Sequence, residues 1–358
     1  MNGSLARRAL TLAQRRLTLT MLIAYAAAAL VPAFGLAVRH ARLGAVPVPG
    51  GHPMPVTLPS LLLAFVLFTA SVQISARQLP ALVRRPLPLL TGTVANTLVP
   101  LMLLPMMAVV LGLLPDSDGC SGLLTGMALI GAMPVAGGAT VWGDRAGGNH
   151  SLVVGIVLAS TLISPLTIPL TLHAASAVTS GHYSDDLTRM ARTGGGAFAV
   201  AGVVAPCLAG LAVRTAFRGR GLDSAVPWLK LISLVAAVFL TYSNASGALG
   251  GFLRDPRPAL LVASVVTAAG MCTASFAIGW GLARILRATH ADTVAITFAS
   301  GMNNSSASAV LAATRLPDYP QVLLPVLAYS LLQKLLAGLT DSALLRRGNV
   351  RASSAGPT

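Results

Sequence analysis

Two hydrophobic stretches carry most of the structural information in this chain: Gly131-Ala-Met-Pro134-Val-Ala-Gly137-Gly138-Ala-Thr140-Val-Trp-Gly143-Asp144-Arg145 and, about 165 positions later, Phe298-Ala-Ser300-Gly301-Met302-Asn303-Asn304-Ser305-Ser306. Each is interrupted by small and polar residues. A helix can be broken inside a membrane only where neighbouring protein or a water-filled cavity satisfies the freed backbone groups. Two matched breaks, one in each half of the chain, are typical of a transporter with a central binding site.

The composition of the chain is that of a membrane protein. Of its 358 residues, 54% are hydrophobic and 10% are charged, whereas a soluble domain normally has about 25% charged residues. All ten acidic residues are aspartates, so the chain has no glutamate. The three cysteines, Cys120, Cys207 and Cys272, are scattered and indicate neither a disulfide framework nor a metal cluster. We therefore expect an all-α, polytopic membrane protein without a metal site.

A window matched to the thickness of a bilayer predicts about ten spans of roughly 20 residues each. They lie near residues 18–38, 57–75, 88–113, 121–148 (broken), 150–174, 196–215, 227–250, 258–283, 290–314 (broken) and 319–343. With the N-terminus inside, sixteen arginines fall in cytoplasmic segments and seven in outer segments. This asymmetry predicts a plasma (inner) membrane protein with both termini cytoplasmic. The net charge of +15 follows from that topology and indicates no nucleic-acid partner.

The two breaks supply groups that suit a charged solute. The N-terminus of a half-helix presents unpaired N–H groups with a partial positive charge, which favours an anion, whereas unwound carbonyls and polar side chains favour a cation. We predict that the substrate-binding residues are Gly137, Gly138, Thr140, Asn304 and Ser305. Small residues also mediate close helix packing in membranes, so a packing role is the alternative.

Six segments of the chain follow a pattern found in one family of membrane transporters. They are Arg85-Pro86, Gly92-Thr-Val-Ala-Asn96, Pro134 with Gly137-Gly138, Gly148-Asn149, Ala159-Ser160-Thr-Leu-Ile-Ser164-Pro165-Leu-Thr-Ile-Pro169 and Gly301-Met302-Asn303-Asn304-Ser305. Through them the chain resembles the bile acid:sodium symporter family from its second predicted helix to its tenth. The two broken helices and the run after the first of them are the most specific parts of the resemblance.

The resemblance implies a fold of ten helices in two inverted five-helix repeats. A panel domain, residues 18–76 and 196–250, faces a core domain, residues 86–174 and 258–343, in which the two broken helices cross near the bilayer midplane. A basic cytoplasmic arm, residues 1–17, and a cytoplasmic tail, residues 344–358, complete the chain.

The chain departs from the family pattern where the resemblance implies sodium ligands. The glutamate expected before the Gly-Met segment is Ala299, a Ser-Asn pair falls on Ala139-Thr140, and two hydroxyl ligands fall on Val153 and Val157. Because valine and alanine side chains offer no oxygen to a hard cation, one sodium site is dismantled. Candidates for a second site are the amides of Asn96 and Asn303 and the carbonyls of Ser300 and Met302. We expect no cofactor and no ordinary two-sodium coupling.

Two ionisable residues inside predicted spans are candidates for another form of coupling, because an intramembrane charge is costly and by default suggests function. Asp144 lies at the inner end of the first broken helix. Lys334 lies within the tenth helix, where the resemblance implies an amide. Either residue can couple transport to protons, and the Lys334 ammonium can stand in for a sodium ion. The alternatives are that Lys334 snorkels to the cytoplasmic surface and that Asp144 pairs with Arg145.

These features predict a secondary transporter of a small organic, anionic solute that works by alternating access. The expected partners are the solute and the lipid bilayer, and a homodimer is compatible with the sequence. No nucleotide-binding loop, zinc motif or nucleophile elbow occurs, so we do not expect an enzyme. Two alternatives remain: an ion exchanger or effluxer of the same architecture that uses Asp144 and Lys334, and a non-transporting membrane sensor derived from such a transporter.

Overall fold

The computed structural model of the chain describes residues 17–47, 53–74, 86–113, 117–217, 220–254 and 256–354. Its helices are α1 (Leu17–Leu30), α2 (Pro32–His40), α3 (Leu58–Val72), α4 (Pro86–Leu111), α5 (Ser117–Ala132), α6 (Gly138–Arg145), α7 (His150–Ser176), α8 (Gly181–Ala216), α9 (Arg220–Arg254), α10 (Pro258–Ile285), α11 (His290–Gly301), α12 (Ser305–Arg315) and α13 (Leu323–Ser354). Two short strands, β1 (Arg42–Val46) and β2 (Met54–Thr57), connect α2 to α3. Except for Leu17, the predicted cytoplasmic arm lies outside the described residues.

Six helices in the described part of the chain contain stretches long and apolar enough to cross a membrane: α4, α7, α8, α9, α10 and α13. The pair α1 and α2 makes a seventh if its two members count as one bent span. The other predicted spans correspond to α3, which has 15 residues, and to the interrupted pairs α5–α6 and α11–α12. The protein is therefore a mostly helical, multi-pass membrane protein, as its composition predicts.

The first span departs from its prediction. A single helix over residues 18–38 was expected, but α1 and α2 meet at an angle of 94°. Proline lacks an N–H group, and its ring disfavours helical geometry in the residue before it. Val31 accordingly leaves the helical region, with φ −129° and ψ 65°, and Pro32 starts the new helix. The predicted span near residues 18–38 is therefore a bent pair of helices.

The connection between α2 and α3 is a second departure from a purely helical chain. Strands β1 and β2 pair antiparallel, with Ala45 opposite Pro55 and Val46 opposite Met54. All five residues of β1 are exposed.

Helix α8 departs from its predicted bounds. It begins at Gly181 rather than near residue 196 and contains π-helical turns at Met190–Gly194 and Ala199–Val204.

Two halves of the broken helices, α5 and α11, are buried almost throughout. Every residue of α11 from Asp292 to Gly301 is buried, and so is every residue of α5 from Cys120 to Ala132. The flanking helices instead present apolar side chains outward; Met102 in α4 and Leu166 in α7 are about three-quarters exposed. Apolar side chains directed away from the protein interior are expected where a helix faces lipid. The halves α5 and α11 that lead into the two breaks thus lie inside the bundle.

Candidate binding site at the helix crossing

The two breaks, residues 133–137 and 302–304, satisfy each other's backbone. The Ala136 N–H donates to the Met302 carbonyl at 2.8 Å, and the Asn304 N–H donates to the Pro134 carbonyl at 3.0 Å. Val135 and Asn303 thereby form one antiparallel bridge between two broken helices. Backbone groups freed inside a membrane must find such partners. The crossing that the resemblance implies is therefore present in the structure.

Two serines support the crossing from outside the breaks. The Ser160 hydroxyl of α7 accepts from the Val135 N–H at 3.1 Å. The Ser308 hydroxyl of α12 donates to the Leu129 carbonyl at 3.1 Å, near the end of α5. Ser160 belongs to the Ser-Thr-Leu-Ile-Ser-Pro run that contributes to the family resemblance. Its structural role is to satisfy a backbone donor in the first break.

Asn303 joins three elements at the crossing. Its Nδ2 donates to the Ile130 carbonyl of α5 at 2.9 Å, and its Oδ1 accepts from Asn96 Nδ2 of α4 at 3.1 Å. Asn303 is completely buried and Asn96 is nearly so. The two amides proposed as sodium ligands are therefore adjacent, and in this structure they bind each other.

Asn304 and Ser305 begin α12. The Asn304 side chain caps this helix by accepting from the Ala307 N–H at 3.1 Å. The Ser305 hydroxyl accepts from Gln333 Nε2 of α13 at 3.2 Å. Both residues are more than nine-tenths buried, so this half-helix N-terminus is already occupied by protein groups.

The N-terminus of α6 differs, because it is open. Gly137 and Gly138 are exposed, and no side chain caps the helix. Within the described residues, their two N–H groups have no hydrogen-bond partner. A methyl group at Gly137 would lie 4.0 Å from the Ala70 Cβ of α3, and one at Gly138 would lie 3.5 Å from the Met302 Cε, so there is room for a ligand. Thr140 does not cap this end, since its hydroxyl donates to the Gly137 carbonyl.

Ser300 and Met302, the other proposed ion ligands, have different surroundings. The Met302 carbonyl already accepts a bond from the first break. The Ser300 hydroxyl points at α10, where a methyl group added to Gly279 would lie 2.6 Å from it. This hydroxyl is buried and makes no hydrogen bond with the described part of the chain. The structure therefore brings Met302 and Asn303 to the crossing and places the Ser300 hydroxyl against α10, while the Ser300 carbonyl stays a proposed ligand.

Apart from Thr140, the positions that the resemblance assigns to the first sodium site carry hydrocarbon side chains. Helices α6, α7 and α11 pack against one another, and Ala139, Val153 and Ala299, one from each, are completely buried. A methyl group added to Gly143 would lie 3.0 Å from Val153, so α6 and α7 approach closely there. Val157 is half-buried.

The charges near the inner ends of α6 and α13 pair differently from the sequence expectation. Asp144 bonds to His150 Nδ1 at 2.6 Å. Arg145 bonds instead to Asp341 of α13 at 3.0 Å and lies over the Trp142 ring. The alternative pairing of Asp144 with Arg145 was wrong, because His150 at the start of α7 and Asp341 within α13 are the partners instead.

Lys334 is half-buried in α13 and has neither a hydrogen bond nor an ion pair among the residues that the structure describes.

Sequence reasoning missed Asp341, which lies two helical turns further along α13 and is buried. An aspartate in an apolar helix was the signal that could have identified it. Asp292 was missed for the same reason; it is buried and accepts from Asn149 Nδ2 at 2.7 Å.

Comparison with known proteins supports the family resemblance. A family model described as the Sodium Bile acid symporter family matches residues 60–255. The uncharacterized protein YbaS of Bacillus subtilis (strain 168) is 29% identical over 232 residues, which cover 62% of this chain and 69% of YbaS. The uncharacterized sodium-dependent transporter YocS of the same organism is 26% identical over 258 residues, which cover 71% of this chain and 73% of YocS. The family match includes the first break and ends before the second.

Proposed function

The chain belongs to the sodium bile acid symporter family, whose members are transporters, and from this premise we propose that it moves a small organic anion across the membrane by alternating access. The observation that carries the proposal is the open N-terminus of α6. Exposed N–H groups at a helix N-terminus bind anions through hydrogen bonds and the helix dipole. At the same crossing, the N-terminus of α12 is closed by Asn304.

We also propose the ten-helix, inverted-repeat architecture, with both termini cytoplasmic in the plasma membrane. The internal symmetry of the contacts supports it: α4 packs against α7 in the first half, and α10 packs against α13 in the second. In each half, a broken pair lies between these two helices along the chain. The helices of the proposed panel likewise pack among themselves, α3 with α8 and α9 with α1.

The solute would bind between the first break and α3. A methyl group at Gly137 has Ala70 of α3 as its nearest neighbour, at 4.0 Å. Helix α3 belongs to the proposed panel and α6 to the proposed core. Rocking of the core against the panel would therefore open and close the space at Gly137, as alternating access requires.

Coupling in this proposal does not use two sodium ions. The three buried apolar residues Ala139, Val153 and Ala299 remove three side-chain oxygens from one sodium site, which keeps only the Thr140 hydroxyl. The second set of ligands is reduced to Asn96, Asn303 and backbone carbonyls, and the two amides bind each other. We propose that uptake proceeds without sodium.

Lys334 supports a second candidate, an ion exchanger or proton-coupled carrier. Within the described residues, no acid pairs with this cation, and an isolated intramembrane charge is expected to have a function. Replacing Lys334 with Asn should then change the dependence of flux on a proton gradient in proteoliposomes. A flux that depends on the gradient equally in both proteins would remove this candidate.

The transport proposal is tested by solute uptake into proteoliposomes. A thermal-shift screen of small carboxylates first identifies a ligand, and its uptake is then compared between Gly137→Leu and Gly270→Leu. Gly137 lies at the open break, whereas Gly270 of α10 is exposed and has nothing within 4 Å of an added methyl group. Both variants should fold, because a β-carbon at either position comes no closer than 4.0 Å to the neighbouring protein.

Uptake should fall at least about tenfold in Gly137→Leu, which corresponds to about 1.4 kcal/mol, and should be unchanged in Gly270→Leu. Equal uptake by both variants would move the binding site away from α6. Ligand binding without any uptake by the unmodified protein would instead favour the sensor interpretation.

A further inference from the structure

A second candidate site for an anion lies at the end of α12 that is remote from the crossing. A cleft of about 290 Å³ opens between the end of α2, the paired strands β1 and β2, and the end of α12. Its polar lining consists of Arg39, His40, Arg42, Thr57 and Thr314. Helix α12 has 11 residues, so at 1.5 Å per residue the cleft lies about 16 Å from the crossing. The proposed topology puts this cleft on the outer face, between panel and core.

Arg39 is buried in a seat shaped for its guanidinium. Its exposed fraction is 5%. On the side of α9, Gly247 leaves the room that the guanidinium fills, since a methyl group there would overlap the Arg39 NH1 atom. The packing of α9 therefore provides a specific buried position for the Arg39 guanidinium.

The charge of Arg39 is not balanced by an acid in the described part of the chain. Its Nε has no hydrogen-bond partner there, and no carboxylate forms an ion pair with it. The nearest acid along the adjoining segment, Asp318, is exposed and likewise has no ion pair. Carbonyls at the ends of α2 and α12 carry a partial negative charge that offsets part of the cost. A buried charge without a full partner is costly, so the cleft favours an anion.

Three of the four other polar groups of the cleft suit the same ligand. His40 and Arg42 are exposed at its rim. The Thr57 hydroxyl accepts from the Ser60 N–H, which leaves its own hydrogen free to donate. Thr314 donates inward to Val310, so it contributes only an acceptor. Guanidinium groups bind planar oxyanions through paired hydrogen bonds.

We propose that this cleft binds a small oxyanion, such as a carboxylate or inorganic phosphate, at a site separate from the crossing. Combined with the proposed function, the cleft would collect the anionic solute at the outer face before it reaches the open break. The oxyanion site does not depend on transport, so the two proposals can fail separately.

The test is the melting temperature of the purified full chain in detergent, titrated with acetate, inorganic phosphate or chloride at constant ionic strength. Acetate or phosphate should stabilise the protein, and chloride should not. The oxyanion that stabilises the protein more shows whether the cleft prefers a carboxylate or a phosphate. Equal shifts with all three anions would overturn the proposal, since they would indicate a general ionic effect.

Variants locate the site. Arg39→Met keeps an unbranched chain in the seat and removes the unpaired charge, so the protein should fold while its apparent oxyanion affinity falls at least about tenfold. Arg42→Gln, at the exposed rim, should weaken affinity less and leave the melting temperature without ligand unchanged. Arg192→Gln removes the same charge from an exposed position outside the cleft and should bind normally.

Oxyanion stabilisation that persists in both Arg39→Met and Arg42→Gln would overturn the assignment. Gly137→Leu separates the two proposals, because it should abolish uptake while leaving oxyanion stabilisation intact. Loss of that stabilisation in Gly137→Leu would place the anion at the crossing and remove the cleft as a second site.

Discussion

The two helix breaks leave their polar groups in opposite states. The second break is buried, and the side chains of Asn303 and Asn304 both bind protein groups. The first break ends at Gly137 and Gly138, which are exposed and uncapped. A ligand can therefore replace solvent at the first break without displacing a protein contact. The second break is therefore closed by protein groups, whereas the first leaves two donors open, which is why we propose it as the solute site.

The largest expected effect comes from Asn303→Leu. It removes a donor and an acceptor at once and leaves Asn96 and the Ile130 carbonyl buried without their partner. Each orphaned group costs about 1–3 kcal/mol, so the melting temperature should fall sharply. Asn304→Ala loses only the cap of α12, at about 1 kcal/mol. Equal stability of these variants by thermal denaturation would contradict the structural role of Asn303.

Gly301→Ala should come next. An added methyl group would lie 2.2 Å from the Phe276 ring, which packs edge-on against Phe298. Overpacking of this kind costs about 1–3 kcal/mol. Gly138→Ala meets only the flexible end of Met302 at 3.5 Å and should be neutral for stability. If the melting temperatures of the two variants agree, the second break is not the tightly packed one.

Ser160→Ala tests whether the first break is held by α7. The substitution leaves the Val135 N–H without its acceptor, at a cost of about 1 kcal/mol or somewhat more. Ser164→Ala is the control, because the Ser164 hydroxyl is buried in the same helix and bonds only to the Thr161 carbonyl of its own helix. A stability loss that is the same in both variants would mean that the Ser160 bond does not hold the break.

The smallest expected effect is that of sodium. Because Ala299, Val153 and Val157 offer no side-chain oxygen, replacing sodium with potassium or choline should change substrate affinity less than about tenfold, or 1.4 kcal/mol. Calorimetric titration of the ligand in each salt measures this directly. A steep sodium requirement would show that Asn96, Asn303 and backbone carbonyls are enough for one ion site, and the second break would then have a role in coupling.

The features predicted best from the sequence are those that depend on a single segment. The breaks fall at 133–137 and 302–304, within the two stretches that the sequence indicates. The bend at Pro32 and the hairpin were not anticipated, although Val31-Pro32 was a visible signal for the bend. The pairing of Asp144 with His150 and of Arg145 with Asp341 was also missed. Adjacent opposite charges suggested a local pair, whereas neighbouring helices supplied the partners.

Composition and hydropathy were sufficient to establish a helical membrane protein with two interrupted helices, because a bilayer requires each segment separately to be apolar and to satisfy its own backbone. They were not sufficient to distinguish a polar group that is hydrogen-bonded within the protein from one that is free to bind a ligand. That distinction depends on which distant residue reaches each site: Asn96 contacts Asn303 from 207 positions away, and Gln333 contacts Ser305 from 28. Among the residues that the structure describes, no distant side chain forms a hydrogen bond with the Gly137 N–H. The asymmetry between the breaks, and with it the location of the candidate site, arises from packing between elements that are far apart in the chain.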